Sequence, residues 1–112
     1  MLDKVSFARD NVGMKSYRIA KSGLYQKWVK KQPQELVLRI AVRLQRIAEG
    51  NFGDHKWFGD IGELRFSFGK GYRLYYTIRQ QEIVLLLLGG DKSSQERDIK
   101  TARMMLKKLE KE

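Results

Sequence analysis

Residues able to do chemistry concentrate in the second half of the chain. Glu63, Arg65, Arg73 and Tyr75 lie in two runs, Glu63 to Phe68 and Tyr72 to Arg79, in which apolar and polar side chains alternate. Such alternation marks β-strands, and Gly69-Lys70-Gly71 between them reads as a three-residue hairpin loop. With that loop, Phe68 faces Tyr72, Phe66 faces Leu74 and Leu64 faces Tyr76, all on a core face, because side chains alternate along a strand. The opposite face pairs Ser67 with Arg73, Arg65 with Tyr75, and Glu63 with Thr77. An arginine fork can grip two phosphate oxygens at once, and a tyrosine ring can stack on an unpaired base. This face is therefore expected to be an open phosphate-binding platform. A cross-strand ion pair on a solvated sheet face would give the same pattern. A register error of one residue would scatter the cluster.

A second element follows the apolar run Ile83 to Leu88. Gly89-Gly90-Asp91-Lys92-Ser93-Ser94 joins a strand to a helix. Glycines there let backbone approach a ligand closely, and a helix beginning at Ser93 offers N–H groups to an anion. Lys92 sits beside that terminus. A plain capped turn explains the glycines and serines equally well, but not Lys92. His55 and Lys56 fall in an expected loop after Gly53-Asp54. A lone histidine there is either an incidental surface group or a general acid–base at neutral pH. Trp57 and Phe58 are expected to pack beneath that loop.

The elements that must carry these groups follow from periodicity. Lys15 to Ala20 alternates as a short strand. Ser22 suits a cap for a helix with Leu24, Tyr25, Trp28 and Val29 at helical spacing. Pro33 suits the start of a second helix reaching about Glu49, with an apolar stripe of Leu36, Ile40, Leu44 and Ile47. Its other side carries Arg39, Arg43 and Arg46, which read as a solvated face ahead of a phosphate contact or a docking face for an acidic partner. Ile83 to Leu88 suits a strand buried on both faces. Ser93 with Glu96 reads as a capping box for a last helix that turns Ile99, Ala102, Met105, Leu106 and Leu109 inward. The expected order is β-α-α-β-β-β-α, an α+β fold with a mainly antiparallel sheet packed against helices. Residues 1–13 show no clear period and read as an N-terminal extension to a domain spanning 14–112.

Composition narrows the chemistry. The chain has 112 residues and a formal net charge of +10. Twelve of the lysines and arginines fall in residues 1–60 and eleven in 61–112, so the charge belongs to the domain and not to a tail. Such a field attracts polyanions. There is no cysteine and one histidine, His55, which speaks against disulfides, thiolate metal sites and a two-histidine acid–base pair. No apolar run nears the roughly 20 residues of a membrane span. Without a visible secretion signal, a cytoplasmic protein is expected.

The residues from Gly50 to Ala102 carry a resemblance. Gly50-Asn51-Phe52-Gly53-Asp54-His55-Lys56, Glu63-Leu64-Arg65, Gly69-Lys70-Gly71-Tyr72-Arg73-Leu74-Tyr75-Tyr76 and Gly89-Gly90-Asp91-Lys92-Ser93-Ser94-Gln95 stand in order. This block resembles the "addiction module killer protein" group of RelE/HigB-type toxins. The resemblance implies a RelE-like fold, a toxin that cleaves mRNA, typically on the ribosome, and a cognate antitoxin, a small helix-turn-helix protein. Operator DNA would be met only through the toxin–antitoxin complex. Arg73 matches the arginine that related toxins place on the scissile phosphate, Lys92 matches the basic residue after the last strand, and Arg65 belongs to a Glu-Leu-Arg motif. The C-terminal tyrosine of RelE falls here at or near Asp98, and no tyrosine follows Tyr76. No cofactor and no metal is expected. Cleavage would then use the 2′-hydroxyl as nucleophile, with Arg73, Arg65 and Lys92 stabilising charge and Glu63, His55 or Asp91 as base. Lys56, Lys70, Tyr75, Asp91 and Ser93 complete the expected RNA-binding set. Two rival readings share the charge pattern: a ParE-like inhibitor of DNA gyrase and a non-enzymatic DNA-binding protein.

Overall fold

The computed structural model describes residues 15–111. The expected extension over residues 1–13, and a domain start at Met14, lie outside the described residues.

The chain forms β1 (Arg18–Lys21), α1 (Gly23–Lys30), α2 (Gln34–Ala48), β2 (His55–Phe58), β3 (Ile61–Arg65), β4 (Arg73–Arg79), β5 (Ile83–Gly90) and α3 (Gln95–Lys111), with a short 3-10 turn at Lys92–Ser94 before α3. It is an α+β fold around one mixed five-stranded sheet of order β1-β5-β4-β3-β2. β1 runs parallel to β5, and the other three pairings are antiparallel. The sheet has one strand more than expected. His55 to Phe58 is not a loop: it pairs with β3, His55 opposite Leu64 and Phe58 opposite Ile61. Its sequence, His-Lys-Trp-Phe, is too short to display a period of its own.

The local signals at the starts of the first two helices mark them correctly. The Ser22 hydroxyl accepts from the Tyr25 N–H at 3.0 Å and donates to the Leu87 carbonyl at 2.6 Å, so it caps α1 and ties it to β5. Pro33 is the extended residue just before α2. Tyr25 of α1 and Leu36, Ile40 and Ile47 of α2 pack with Leu64, Leu74, Tyr76, Val84 and Leu86 on one face of the sheet. Ala102 and Leu106 of α3 pack with Ile61, Tyr75, Leu87 and Leu88 on the other. β5 is thus buried on both sides, which explains its unbroken apolar run. A bulge between Tyr75 and Tyr76 of β4 opposes Leu88 and Leu86 of β5, leaving Leu87 as the extra residue. No helix among the described residues is long and apolar enough to cross a membrane.

Two expectations about the hairpin change. Leu64 pairs with Leu74 and Glu63 with Tyr75, two residues out of the expected register. The connection is longer, from Phe66 to Tyr72, with Gly69 and Gly71 both at positive φ. A slip of two preserves which face each side chain takes, so Glu63, Arg65, Arg73 and Tyr75 remain together. The face itself is not open. α3 lies across it, and Glu63 and Tyr75 have no exposed surface.

Candidate phosphate-binding site

The cluster is built on a buried carboxylate. Oε1 of Glu63 accepts from Nε of Arg65 at 2.8 Å and from an Nη of Arg73 at 3.2 Å. Oε2 accepts from the side-chain amide of Gln95 at 2.8 Å, at the first turn of α3. Sequence reasoning passed over Gln95, because its partner is 32 residues away and only the docking of α3 brings the two together. Burial acts to raise the Glu63 pKa, but the hydrogen bonds from Arg65 and Gln95 and the charge of Arg73 outweigh it and hold the carboxyl below its ordinary range. The bond to Glu63 likewise strengthens the hold of Arg65 on its proton. Arg65 keeps 33% of its side chain exposed and Arg73 keeps 13%. The two guanidiniums are fixed on their inner sides and reach solvent with what is left, an arrangement suited to receiving an anion.

Lys92 and Lys70 approach from the strand ends. Arg73 pairs with Gly90, the last residue of β5, and its Nε also donates to the Gly71 carbonyl at 3.2 Å. Gly71 adopts φ +73, and a Cβ there would stand 3.3 Å from Cβ of Lys92, so the hairpin connection presses against the residue after β5. The Lys92 N–H donates to the Lys70 carbonyl at 3.4 Å. Lys70, Asp91, Lys92 and Ser93 line an open cleft of about 520 Å³ beside this junction. Four of the expected residues are therefore neighbours, and Arg73 is held at their edge.

Other expectations are corrected. Tyr75 does not offer a ring to a base. It is fully buried under α3, and burial together with the charge of Glu63 raises its pKa, although its hydroxyl meets no partner at hydrogen-bonding geometry. Glu63 holds the arginines and is not exposed to act as a base. His55 lies opposite Leu64, whose side chain belongs to the α1/α2 face, so register puts it on the far side of the sheet from Arg73. Its Nδ1 is 2.8 Å from the Gly53 carbonyl and its ring lies 5.8 Å from that of Phe52. Lys56 is opposite Glu63 but exposed, with Nζ 5.0 Å from the centre of the Phe58 ring. Trp57 is exposed too, edge-on to Tyr76, and does not pack beneath a loop.

The expected Ser93 cap is replaced by Asp91. The Asp91 side chain accepts from the Ser93 N–H at 2.9 Å, and the Ser94 hydroxyl accepts from the Asp91 N–H at 3.2 Å, a reciprocal box two residues earlier than expected. The Ser93 N–H is thus occupied by a carboxylate whose pKa its bonds to Ser93 lower. Asp98, which the resemblance aligned with the family's C-terminal tyrosine, is buried beneath Gly90 and accepts from the Ser94 hydroxyl. Burial raises its pKa. Among the described residues, no three of His, Cys, Asp or Glu gather as a metal site would require.

Comparison with known proteins adds one relative. Over 72 residues the chain is 46% identical to an uncharacterised protein of Haemophilus influenzae, a match covering 63% of this chain and 73% of that protein. The chain belongs to that protein's family. Models of known protein families give no match to it. The family bond therefore brings no activity with it, and a functional reading rests on the site.

Proposed function

We propose that this chain is the toxin of a type II toxin–antitoxin pair, with a RelE/HigB-like fold and metal-independent mRNA endoribonuclease activity at the Arg65–Arg73 pair. The observation that carries the proposal is the pair of guanidiniums held on the buried Glu63 carboxylate, with Lys92 and Lys70 at the adjoining strand ends. An RNA phosphate bound there would meet fixed positive charge where charge develops during attack by the neighbouring 2′-hydroxyl. That attack forms the oxygen–phosphorus bond of a 2′,3′-cyclic phosphate and breaks the bond to the 5′-oxygen. The nucleophile passes its proton to Asp91 or to water, and the leaving 5′-oxygen takes one from Lys92 or from water. Lys92, exposed in the adjoining cleft, would serve the leaving side. Asp91 is the remaining carboxylate of the cluster on the solvent side. Rate then comes chiefly from positioning and charge stabilisation.

The resemblance of the Gly50 to Ala102 block supports the same reading and supplies its context: the cytoplasm, an mRNA on or off the ribosome, and a small helix-turn-helix antitoxin. The test is cleavage of a labelled mRNA by purified protein, with and without ribosomes and with EDTA throughout. Cleavage lost in Arg73→Ala and Lys92→Ala is expected. No cleavage under either condition, with growth still inhibited on expression, would sink the nuclease reading.

One observation favours a second reading. Glu63 and Tyr75 are buried, His55 lies on the far face, and Asp91 is held by Ser93, so among the described residues no strong base stands free beside Arg73. A binding module of the ParE type, acting on DNA gyrase, needs no base. Inhibition of gyrase supercoiling by the purified chain, without RNA cleavage, would favour it.

A further inference from the structure

α2 and the β3–β4 connection enclose a cleft of about 560 Å³ that the proposed chemistry does not use. Arg39, Arg43 and Arg46 line it from α2, and Phe66 and Phe68 from the connection. The guanidinium of Arg39 lies 4.3 Å from the centre of the Phe68 ring, and that of Arg43 lies 4.4 Å from the centre of Phe66. Arg43 is spent structurally: it donates to the Arg65 carbonyl at 2.7 Å and to the Asp54 carbonyl at 3.4 Å, fastening α2 to the sheet. Arg39 and Arg46 are different. Both are exposed; Arg39 bonds Glu35 one turn earlier at 3.0 Å, and Arg46 meets no carboxylate among the described residues.

Arg65 decides what such a cleft is for. It borders this cleft, where its carbonyl accepts from Arg43, while its Nε holds Glu63 beside Arg73, so the two sites adjoin at one residue. We propose that the cleft is a subsite for a nucleotide flanking the scissile phosphate, which rests on the nuclease reading above. A single-stranded RNA leaves the Arg65–Arg73 pair and enters the cleft. Arg46 and Arg39 meet its backbone there. One base stacks on the outer face of the Arg39 guanidinium, whose inner face is on Phe68. The exposed Leu38 and Val42 on the lip supply apolar surface to the sugar and base edges. The adjoining of the two sites at Arg65 favours RNA over an acidic peptide as occupant.

The test uses the full chain and a single-stranded RNA with 2′-O-methyl groups throughout, which blocks the nucleophile and leaves binding to be measured. R39A/R46A is compared with K107A/K108A, a double substitution of equal charge on the exposed side of α3. The expected result is an affinity loss of about tenfold in R39A/R46A, with a shallower salt dependence, and a loss under about twofold in K107A/K108A. A 4-thiouridine beside the blocked phosphate should crosslink to α2. Equal losses in the two doubles would mean diffuse charge attraction and would overturn the inference, as would no loss in either. Cleavage of unmodified RNA, measured in parallel, separates the two readings. If RNA is cut while binding ignores the cleft, the inference alone fails. If binding depends on the cleft but nothing is cut, the cleft stands as an RNA site and the nuclease reading fails. A synthetic amphipathic Glu/Leu peptide that binds through Arg39 and Arg46 when RNA does not would also overturn the inference, in favour of protein docking.

Discussion

An Nη of Arg73 lies 3.2 Å from Oε1 of Glu63, a carboxylate with no exposed surface. Arg65 holds the same oxygen and Gln95 the other, so one acid organises three side chains from β3, β4 and α3. Removing the acid should harm both fold and site. Glu63→Gln leaves two guanidiniums facing an amide, and a stability loss of up to about 3 kcal/mol is expected, because the arginines retain partial access to water. The depressed pKa gives the wild type a signed acid dependence. The unfolded carboxyl takes up protons at higher pH than the folded one, so this contribution is present above the unfolded value and disappears as pH falls through the folded value. Chemical denaturation at neutral and acid pH measures it. The wild type should lose more stability than Glu63→Gln on acidification, and equal losses would show that the carboxylate is not the linked group.

Lys92 offers the cleaner functional test. Arg73 is tied to the core through Glu63, whereas Lys92 is exposed. Lys92→Ala should leave the melting temperature nearly unchanged, within about 0.5 kcal/mol of stability. Cleavage should fall by about 10²–10³, as when a charge-stabilising donor is removed. Growth inhibition at wild-type level from an equally expressed Lys92→Ala protein would remove Lys92 from the site.

Asp98 carries the opposite pH sign. Burial raises its pKa, so the fold favours the protonated acid, and its stabilising contribution is lost as pH rises through the folded value. Asp98→Asn keeps a carbonyl oxygen to accept from Ser94 and removes a charge that burial disfavours. The variant should melt higher than wild type at neutral pH and lose that advantage in acid. A lower melting temperature at neutral pH would mean that the ionised form is needed, through Ser94 or the charge of Arg97.

Much of the fold was legible because it is written in local pattern. Ser22 and Pro33 marked helix starts, alternation marked β3 and β4, and the apolar run marked β5 as a doubly buried strand. The grouping of Glu63, Arg65, Arg73 and Tyr75 survived a misjudged hairpin loop because the error was two residues and the side-chain period is two. What the sequence hid is tertiary. Nothing local says that α3 closes over Glu63 and Tyr75, so a buried ion-pair network read as an open platform. Gly62 carried no signal and Gly89 read as room for a ligand, yet each lies where a Cβ would meet a ring, of Tyr76 and of Trp28. Gly89→Ala is accordingly expected to destabilise the fold by about 1–3 kcal/mol through overpacking, read from denaturant midpoints. An unchanged midpoint would show that α1 can shift away from β5 without cost.

The turn joining β4 to β5 holds strain that can be relieved without touching the site. Gln80 and Gln81 both adopt left-handed backbone, with φ 54 and 62, and the Glu82 N–H donates to the Arg79 carbonyl at 3.1 Å. Positive φ at both central residues suits Asn-Gly far better than two glutamines. Substituting Asn at position 80 and Gly at position 81 should stabilise the protein by about 1 kcal/mol, raising the melting temperature by about 4–8 °C for a domain of this size. Arg79 pairs with Ile83 at this end of the hairpin and Arg73 with Gly90 at the other, so the change lies at the far end of β4 from the phosphate site. RNA cleavage by the double variant should therefore match wild type at a temperature where both are folded. A melting temperature that falls instead would mean that the glutamine side chains make contacts worth more than the backbone strain they impose.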